Sequence, residues 1–481
     1  MPVPSIIEQQ PSTTTFAVGQ EAIFVVSNQT AVATEVNVKF GVEVHISKGS
    51  VPNVALATNL IGTFKTTPNN AGVGMFNLRN IIENYVGADH LLNETAQFMT
   101  FDAATIGVGV PIHCVDFISK NDNSFRNMKL QFFVEYLGAD ASTPNVVARA
   151  NNTSVNSSNF KVFNAYLKPE NLIQQTTSTF GTDYFLDNFT LATGFPLGNL
   201  LTNAPFTQSC NVNDYMTIGV WTPTPAKQQI FHRVNYFVTK NDGTTFSVDA
   251  DLTDATGGWD NNTGINDSHQ YMTFVGCGSA NLQQLSSTYA TAVTNGLMEG
   301  GSIKVRLQYD SGGGYTNISS QYTINIDCPN AKGYEPIRLC WLNQYGAWDY
   351  YTFNLKSSRT ITSKQTTYHQ LKGSWNKAAY TQNGHSGGVK TFRKNAAEKI
   401  RINTDYVTED YVTIFEEMFV SPETYLLKPK SSATVPQTVF QQVEPIRILS
   451  SSFKKKTTVN DKLIQYTIDI EVSRKINTQT I

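Results

Sequence analysis

The sequence contains 481 residues, of which 40% are hydrophobic and 15% are charged, and its formal net charge is −2. This length predicts about two to four domains, and the near-neutral charge gives no global electrostatic reason to expect nucleic acid or an anionic membrane as a partner. The charged fraction is below the roughly 25% of an ordinary soluble domain. Asn, Thr, Ser, Gln and Gly fill the difference, and together with 28 Phe and 21 Tyr they favour a mainly β fold.

The N-terminal sequence is not typical of a secreted protein. MPVPSIIEQQPSTTTFAVGQ lacks the basic segment and the apolar core of a signal peptide. No stretch approaches the roughly 18–20 apolar residues of a transmembrane helix. We therefore expect synthesis in a cytoplasm, where cysteines stay reduced. The cysteines, which form no Cys-x-x-Cys pair and are expected to be mostly buried thiols, are Cys114, Cys210, Cys277, Cys328 and Cys340.

Residues 1–165 are predicted to form a first β-sandwich domain. Within Glu35–Ser47, apolar side chains occupy every second position, which is typical of a half-buried strand. Met128–Gly138 and Val155–Leu167 alternate in a similar way and predict two further strands. The segment Gly72–Val86 spaces its apolar residues for one short helix.

Residues 166–330 are predicted to form a second β-sandwich domain. Asn211–Thr222 and Ile230–Val248 are typical of strands, the latter interrupted by an Asp-Gly turn, and Gly301–Asp327 predicts a hairpin. Three fragments of the first domain have parallels here in the same order, which suggests a diverged repeat; chance similarity between β-rich segments is the alternative. The parallels are Gln97–Phe101 with Gln270–Phe274, Met128–Gly138 with Ile303–Gly313, and Ser158–Asn171 with Ser320–Asn330.

Residues 331–481 are predicted to form a small α+β C-terminal domain. The stretch GYEPIRLCWLNQYGAWDYYTF, residues 333–353, alternates on both sides of a turn at Gly346 and predicts a hairpin with an aromatic face. It contains Trp341 and Trp348. A hairpin in the core of a domain is the favoured interpretation, and an exposed platform for a ligand is the alternative.

One helix is predicted in this domain, near Thr408–Phe419. Thr408 is a suitable N-cap, acidic residues follow in the first turn, and a proline after Ser421 ends the helix. A last strand is predicted at Leu463–Val472. The sequence EPIRIL at Glu444–Leu449 repeats EPIRLC at Glu335–Cys340, so we expect two equivalent strands in this domain.

The sequence contains no motif for phosphate or dinucleotide binding, no zinc-protease motif and no nucleophile elbow. The Asp- and Asn-rich stretch Asp249–Asp267 has the oxygen ligands that Ca²⁺ prefers, but it misses the EF-hand spacing, and a solvated loop is the other interpretation. Lys454–Lys456 predicts an exposed turn. The histidines, which do not pair at ligand spacing, are His45, His90, His113, His232, His269, His369 and His385. We therefore assign no catalytic residue, no metal and no cofactor, and we predict that the chain is not an enzyme.

Several segments together resemble the virion structural proteins of tailed bacteriophages, in particular uncharacterised tail or particle proteins of marine and Bacteroidota-infecting phages. They are LLTNAP at residues 200–205, NVNDYMTIGV at 211–220, residues 334–360, and NDKLIQYTIDIEVS at 460–473. The most specific part is W-L-N-x-x-G-x-x-D-x-x-x-F, formed by Trp341, Leu342, Asn343, Gly346, Asp349 and Phe353. The resemblance spans roughly residues 20–475 and carries no known catalytic residues.

This resemblance implies a non-enzymatic structural protein that acts through contacts. We expect a tail, baseplate or neck subunit in a homo-oligomeric ring, located in the virion after synthesis in the host bacterial cytoplasm, with no nucleic acid as partner. The Pro-containing segment Met1–Thr15 could order against a neighbouring subunit, and a frayed terminus is the alternative.

Two other functions remain open from the sequence. The first alternative is a receptor- or carbohydrate-binding tail fibre or adhesin, in which Trp259 and Trp375 would stack on the sugars of a host-surface glycan. The second is a polysaccharide depolymerase. Its two carboxylates would come from distant strands, so the sequence singles out no pair.

Overall fold

The computed structural model shows a mainly β chain with few helices, and the predicted fold class is confirmed. It describes residues 4–11, 15–48, 51–91, 111–115, 118–121, 123–168, 200–221, 233–251, 272–310, 314–328, 333–373, 378–382, 384–430, 443–455 and 464–474. The chain divides into two compact units. Unit 1 is Met1–Asp327 with Leu342–Asp349 and Lys430–Thr438, and unit 2 is Cys328–Trp341, Tyr350–Pro429 and Val439–Ile481. The three predicted domain boundaries stay a prediction.

The first half of unit 1 is a β-sandwich. Its strands are β1 (Ile6–Gln9), β2 (Thr15–Ala17), β3 (Ile23–Ser27), β4 (Lys39–Ser47), β5 (Leu60–Thr66), β6 (Val73–Asn77), β8 (Phe125–Leu137), β9 (Val147–Arg149), β10 (Val155–Asn156) and β11 (Phe160–Phe163), with helices α1 (Gln29–Thr34) and α2 (Arg79–Ile82). The strand β7 (Ile118–Asn121) lies between β6 and β8 in the chain but pairs with a strand of the second half. A large sheet, β2-β11-β8-β4-β5, has β9 and β10 paired to β8, and a small sheet is β1-β3-β6. Phe24 and Phe76 of the small sheet each lie with ring centroids 5.9 Å from that of Phe132 in the large sheet.

Two predicted elements of this half differ from the structure. The strand predicted from Glu35 begins at Lys39, because the backbone of Asn37 has a positive φ of 58°, and Val36 before this turn is 60% exposed. The helix predicted over Gly72–Val86 is wrong in its first part. Val73–Asn77 is a strand paired to β3, since pairing and burial of Phe76 override local helix spacing, and only Arg79–Ile82 is α-helical.

The N-terminal segment, where it is described, pairs within its own chain. Ile6 lies opposite Ser27 of β3, and the Ser5 amide donates to the Thr153 carbonyl oxygen. Residues 6–9 thus pair with β3 of their own chain as an edge strand, and the ordering of Met1–Thr15 against a neighbour stays a prediction.

The second half of unit 1 is a further β-sandwich. Its strands are β12 (Thr207–Asn211), β13 (Thr217–Trp221), β14 (Arg233–Thr239), β15 (Thr245–Asp251), β16 (Met272–Gly276), β17 (Ser302–Asp310), β18 (Tyr315–Asn317) and β19 (Tyr322–Asp327), with helices α3 (Ser279–Leu285) and α4 (Ser287–Thr294). The large sheet is β12-β19-β17-β14-β15 with β18 paired to β17, and the small sheet is β13-β16-β7. The hydroxyl of Tyr236 donates to the Gly276 carbonyl oxygen at 2.6 Å and joins the two sheets.

The two large sheets have the same strand order and directions. In each, the first pair of strands is parallel and the remaining pairs are antiparallel. Phe160 pairs with Met128 and Tyr322 pairs with Val305, so Met128 corresponds to Val305. The sequence comparison, which set Met128 against Ile303, was therefore shifted by two residues. A common origin of the two halves stays a prediction that this shared topology supports.

Two serines occupy equivalent positions in the two sandwiches. The Ser157 hydroxyl accepts from the Leu130 amide at 3.0 Å, and the Ser319 hydroxyl accepts from the Leu307 amide at 2.9 Å. Both serines are buried. Each hydroxyl accepts the hydrogen bond that a carbonyl oxygen of a neighbouring strand would otherwise accept from that backbone N–H group. Each hydroxyl thus satisfies a group that water cannot reach.

We expect Ser157→Ala and Ser319→Ala each to lower the free energy of unfolding by about 1–3 kcal/mol, because each leaves a buried amide without its acceptor. Urea unfolding followed by circular dichroism measures this change. Ser158→Ala is the matched control, since Ser158 is exposed and its loss is expected to cost less than about 0.5 kcal/mol. Equal midpoints for all three variants would contradict the assigned role.

Unit 2 is built on one sheet and one helix. Its strands are β20 (Ile337–Leu342), β21 (Trp348–Phe353), β22 (Ser358–Gln370), β23 (Gly388–Asn403), β24 (Thr424–Leu427), β25 (Val443–Ile448) and β26 (Thr467–Val472), in the order β21-β20-β24-β25-β26-β23-β22. The helix α5 (Tyr411–Val420) packs Phe415 on Tyr351 at 4.9 Å and on Tyr466 at 5.6 Å between ring centroids. The two EPIR strands, β20 and β25, flank β24 in this sheet.

The predicted helix of unit 2 exists but begins later. Asp410, not Thr408, is its N-cap residue, and no side chain caps it. The Tyr411 amide donates to the Thr408 carbonyl oxygen at 3.2 Å, so a tight turn precedes the helix. The helix ends at Val420, before the Ser-Pro pair, as predicted.

Candidate functional site

The most specific part of the phage resemblance forms the turn of the β20–β21 hairpin. We call Leu342–Asp349 the hairpin tip; it belongs to unit 1. The Asn343 side-chain oxygen accepts from the amides of Tyr345 at 3.0 Å and Ala347 at 3.1 Å, and its nitrogen donates to the Leu201 carbonyl oxygen at 2.9 Å. Asn343 therefore shapes the turn and fixes it to the second sandwich.

Gly346 is required at this turn for two reasons. Its φ of 79° lies in the left-handed region, where side chains other than glycine are strained. A Cβ here would also lie closer than 3.0 Å to the Asn164 carbonyl oxygen. Nearby, the Tyr166 amide donates to the Gln344 carbonyl oxygen at 2.8 Å. The tip is thus packed directly on the backbone that follows β11.

The remaining side chains of the tip bind groups from both halves of unit 1. Trp348 is 1% exposed and donates from Nε1 to the Asp89 carbonyl oxygen at 3.0 Å. The His113 ring lies against the Trp348 ring, with centroids 5.2 Å apart. The Thr202 hydroxyl donates to the Asp349 carboxylate at 2.6 Å. With Trp341 fully buried in unit 2, the prediction that both tryptophans lie in a core is confirmed.

An Asp, a Ser and a His meet beside this tip, and their geometry supports a structural role. The Asp89 carboxylate accepts directly from the Ser124 hydroxyl at 2.7 Å and from the Asn123 amide at 3.1 Å. Asp89, Ser124 and His113 are all buried. A nucleophilic triad places the histidine between serine and carboxylate, whereas here the carboxylate contacts the serine and the histidine ring contacts Trp348.

The cysteines are free thiols, as predicted, and four are buried while Cys328 is exposed. Burial raises the pKa of the Cys114 thiol well above its ordinary value, and it does the same for Cys340. A thiol with a raised pKa stays protonated at neutral pH and is a poor nucleophile. These two cysteines therefore behave as small core residues.

The candidate interaction aromatics Trp259 and Trp375 lie outside the described residues, so glycan binding through them stays a prediction. Most of the Asp- and Asn-rich stretch also lies outside them. Asp249, which is described, pairs with Arg233 at 3.4 Å. Of the exposed turn predicted at residues 454–456, Lys455 pairs with Glu416 at 2.8 Å.

Strands β22 and β23 extend far beyond the rest of the unit 2 sheet. The 13 residues of β22 pair with β23 along their whole length, but β26 pairs only with Lys399–Asn403 of β23. We call the remainder, Ile361–Gln370 with Gly388–Glu398, the ribbon. At about 3.4 Å per residue its ten β22 positions span about 34 Å. In the described part of the chain, the ribbon segments of these two strands have only each other as pairing partners.

The ribbon is held by strand-forming residues and by cross-strand contacts. β22 contains four threonines, and this residue type favours strands. The Tyr368 and Phe392 rings meet edge to face with centroids 6.4 Å apart, and the Thr391 hydroxyl lies 3.4 Å from the Gln365 side-chain oxygen. A bulge between Thr366 and Thr367 leaves Phe392 as the extra residue of β23. Exposed apolar residues remain, with Phe392 53% exposed.

Positive charge is concentrated on one face of this hairpin. Residues 358–403 contain nine lysines and arginines and one acidic residue, so the segment carries +8 and the rest of the chain −10. Pairing places Lys364, Lys390, Arg393 and Lys399 on the same face, which we call the cationic face. Tyr368 and Phe392 lie on it as well. On the opposite face, Arg359 is neutralised by Glu398 at 2.7 Å.

Neither side-chain clusters nor sequence similarity assigns an activity to the chain. Among the described residues, no group of three or more His, Cys, Asp or Glu side chains is placed to hold a metal ion. Within the same residues, every helix is too short or too polar to cross a membrane. No family model matches the sequence, and no curated protein matches it either.

Proposed function

We propose that this chain is a non-enzymatic structural protein of a tailed-phage virion, a tail, baseplate or neck subunit that forms a homo-oligomeric ring. It acts through contacts with its own copies and with other virion proteins, in the virion that assembles in the host bacterium. The resemblance carried by Trp341, Asn343, Gly346 and Asp349 supports this proposal. In the structure these residues are buried and hold the chain together, as expected of a scaffold motif.

The observation that carries the proposal is the free edge of β22. Among the described residues this strand is the last in its sheet, and its first ten positions are all exposed, with Ile361 65% exposed. A two-stranded hairpin alone is marginally stable in water. An exposed strand edge is a template for pairing with another chain, and proteins usually protect it. A ribbon left open on both faces is suited to contact a neighbouring subunit by strand addition.

The geometry of such a contact favours a ring. A projecting arm meets a different surface on the next copy, so the interface is heterologous. Heterologous interfaces generate rings when the rotation closes. The two sandwiches of unit 1 are joined by the buried hairpin tip, which gives each copy a rigid body on which closure can depend.

A shortened ribbon tests the proposal. Removing Ser363–Ala396 and joining Thr362 to Ala397 through Asn-Gly closes a two-residue hairpin, because these two residues lie opposite each other. We expect the full chain to form a closed oligomer by native mass spectrometry and negative-stain microscopy. We expect the shortened chain to associate at least about tenfold more weakly, which corresponds to about 1.4 kcal/mol.

The controls separate folding from assembly. The shortened chain should keep the β-sheet circular dichroism signal and the unfolding midpoint of unit 1, which the deletion does not touch. Antibody labelling of intact particles should place the chain at the tail, baseplate or neck. A full chain that stays monomeric and is missing from particles would refute the ring. A hydrolytic activity lost on a single substitution would refute the non-enzymatic role.

A further inference from the structure

We propose that the cationic face of the ribbon binds double-stranded DNA, with the ribbon lying in the major groove and its cations on the flanking phosphates. This inference goes beyond the proposed function and does not depend on ring formation. It also revises the expectation that nucleic acid is not a partner, which rested on the charge of the whole chain.

The first argument is the arrangement of charge. Arg393 lies opposite Thr366 and Lys390 lies opposite Tyr368, so with Lys364 the three cations of this face within the ribbon extend over four residues, about 14 Å. Lys399 lies one position beyond the ribbon, opposite Glu471 of β26. Lys364, Arg393 and Lys399 are exposed. In the described part of the chain, no carboxylate forms an ion pair with Lys364, Lys390 or Arg393; Lys390 instead donates to the His385 carbonyl oxygen and Arg393 to Asn395. These cations remain available to neutralise phosphates.

The second argument is shape. The major groove of B-DNA is about 12 Å wide and admits a two-stranded β-ribbon. In a copy whose β22 edge is not paired with a neighbour, the ribbon is two strands wide over its about 34 Å length, which is close to one turn of the duplex. Most ribbon residues are exposed, among them Lys364 and Arg393, and the others are half-buried.

The third argument is the position of the aromatic residues. Phe392 lies between Arg393 and Lys390 along β23, Tyr368 lies opposite Lys390, and Phe392 is 53% exposed. An apolar side chain in the major groove can contact the methyl group of thymine. In this arrangement the cations would contact phosphates on the two sides of the groove, and the apolar ring between them would contact the bases. Both contacts would hold the ribbon in the groove.

Two other anionic partners fit the observations less well. In a second copy, Glu43, Glu135 and Glu416 are each already paired with a cation of their own unit at 2.8 Å, so these three carboxylates would have to exchange partners to meet the ribbon. An anionic membrane presents a flat surface, which is best met by cations spread over an area. Here the cations lie in a row along the narrow, two-stranded ribbon, an arrangement that fits a groove better than a flat surface.

The test is fluorescence anisotropy of a labelled DNA duplex of about two turns titrated with the full chain, between about 50 and 200 mM salt. The triple variant Lys364→Gln/Lys390→Gln/Arg393→Gln should bind at least about tenfold more weakly and reduce the slope of log affinity against log salt by about 2.7. The single variant Lys364→Gln should reduce this slope by about 1.

Lys394→Gln is the matched control, because Lys394 lies one position further along the ribbon on the opposite face. It removes the same charge and should leave the slope unchanged. A single-stranded oligonucleotide of equal length should bind more weakly than the duplex. Circular dichroism checks that each variant is folded.

Several outcomes would overturn the inference. They are no binding of duplex DNA by the folded chain at about 50 mM salt, an equal effect of Lys364→Gln and Lys394→Gln, or binding to anionic vesicles without binding to the duplex. Loss of oligomers in the triple variant, without DNA binding by the parent chain, would assign the face to a protein partner. DNA binding by a monomeric chain would refute the ring and leave this inference standing.

Discussion

Gly346→Ala is expected to lower the free energy of unfolding of unit 1 by at least about 4 kcal/mol, a loss that few single substitutions reach. The added methyl group would collide with the Asn164 carbonyl oxygen, a backbone atom that cannot rotate away. The left-handed backbone of the turn adds about 1–2 kcal/mol of strain. Relief would require the tip to leave its site and expose Trp348, so tryptophan fluorescence during urea unfolding measures the effect.

Gly243→Ala separates the collision from the strain. Gly243 has a φ of 81°, almost the value at Gly346, but a Cβ there would meet no atom within 4 Å. We expect this control to cost only the strain, about 1–2 kcal/mol. The two variants should be compared at the transition of unit 1, because a chain with two compact units is not expected to unfold in one step. Equal losses would show that the packing of the tip is unimportant.

Elements whose hydrophobic pattern is local could be predicted from the sequence. Ile468, Ile470 and Val472 alternate along the last strand, and the structure buries all three. The turn at Gly346 was equally clear, since glycine is frequent where φ is positive. The segment Gly72–Val86 shows the limit of this reasoning, because its spacing fits a short helix but partners from β3 make its first part a strand.

The partners of the hairpin tip could not be predicted. Asn343 binds Leu201 and Trp348 binds Asp89, contacts between residues separated by 142 and 259 positions, and no local pattern encodes them. The repeat was recognised with a register two residues wrong. Since side chains alternate with a period of two, an even shift keeps every residue on its correct face and looks equally good in sequence.

The ribbon was missed although its signal is present. Its cations are scattered over both strands, so no run of lysines marks them, and the near-neutral total of the chain conceals a segment of +8. Strand pairing brings Lys364 and Arg393 to one face, and this requires the register of β22 against β23. Trp259 and Trp375 were selected by side-chain type alone, and they lie outside the described residues.

Asn281→Ala is expected to cost unit 1 about 3 kcal/mol or more. The Asn281 side chain is fully buried, and its oxygen accepts from the Met216 amide at 2.9 Å. Its nitrogen donates to the carbonyl oxygens of His113 at 2.8 Å and Val115 at 2.6 Å. Alanine would leave three buried backbone groups without partners, and each costs about 1–3 kcal/mol. The measurement is the urea midpoint of unit 1.

Asn281→Asp shows whether the donated hydrogen bonds carry this effect. The substitution keeps the shape and the acceptor toward Met216, but an ionised carboxylate would face two carbonyl oxygens, which favours its neutral form. The folded-state pKa of the introduced carboxyl should therefore rise above the roughly 3.9 of a free aspartate. Stability should then be lost as the pH rises from about 4 toward 7, and the variant should approach the parent chain at the acid end. The exposed Asn295→Asp, at the C-cap of α4, is the control, in which ionisation at the helix C-terminus is expected to cost at most about 1 kcal/mol. pH profiles of equal size for the two variants would mean that Asn281 does not join these segments through its amide.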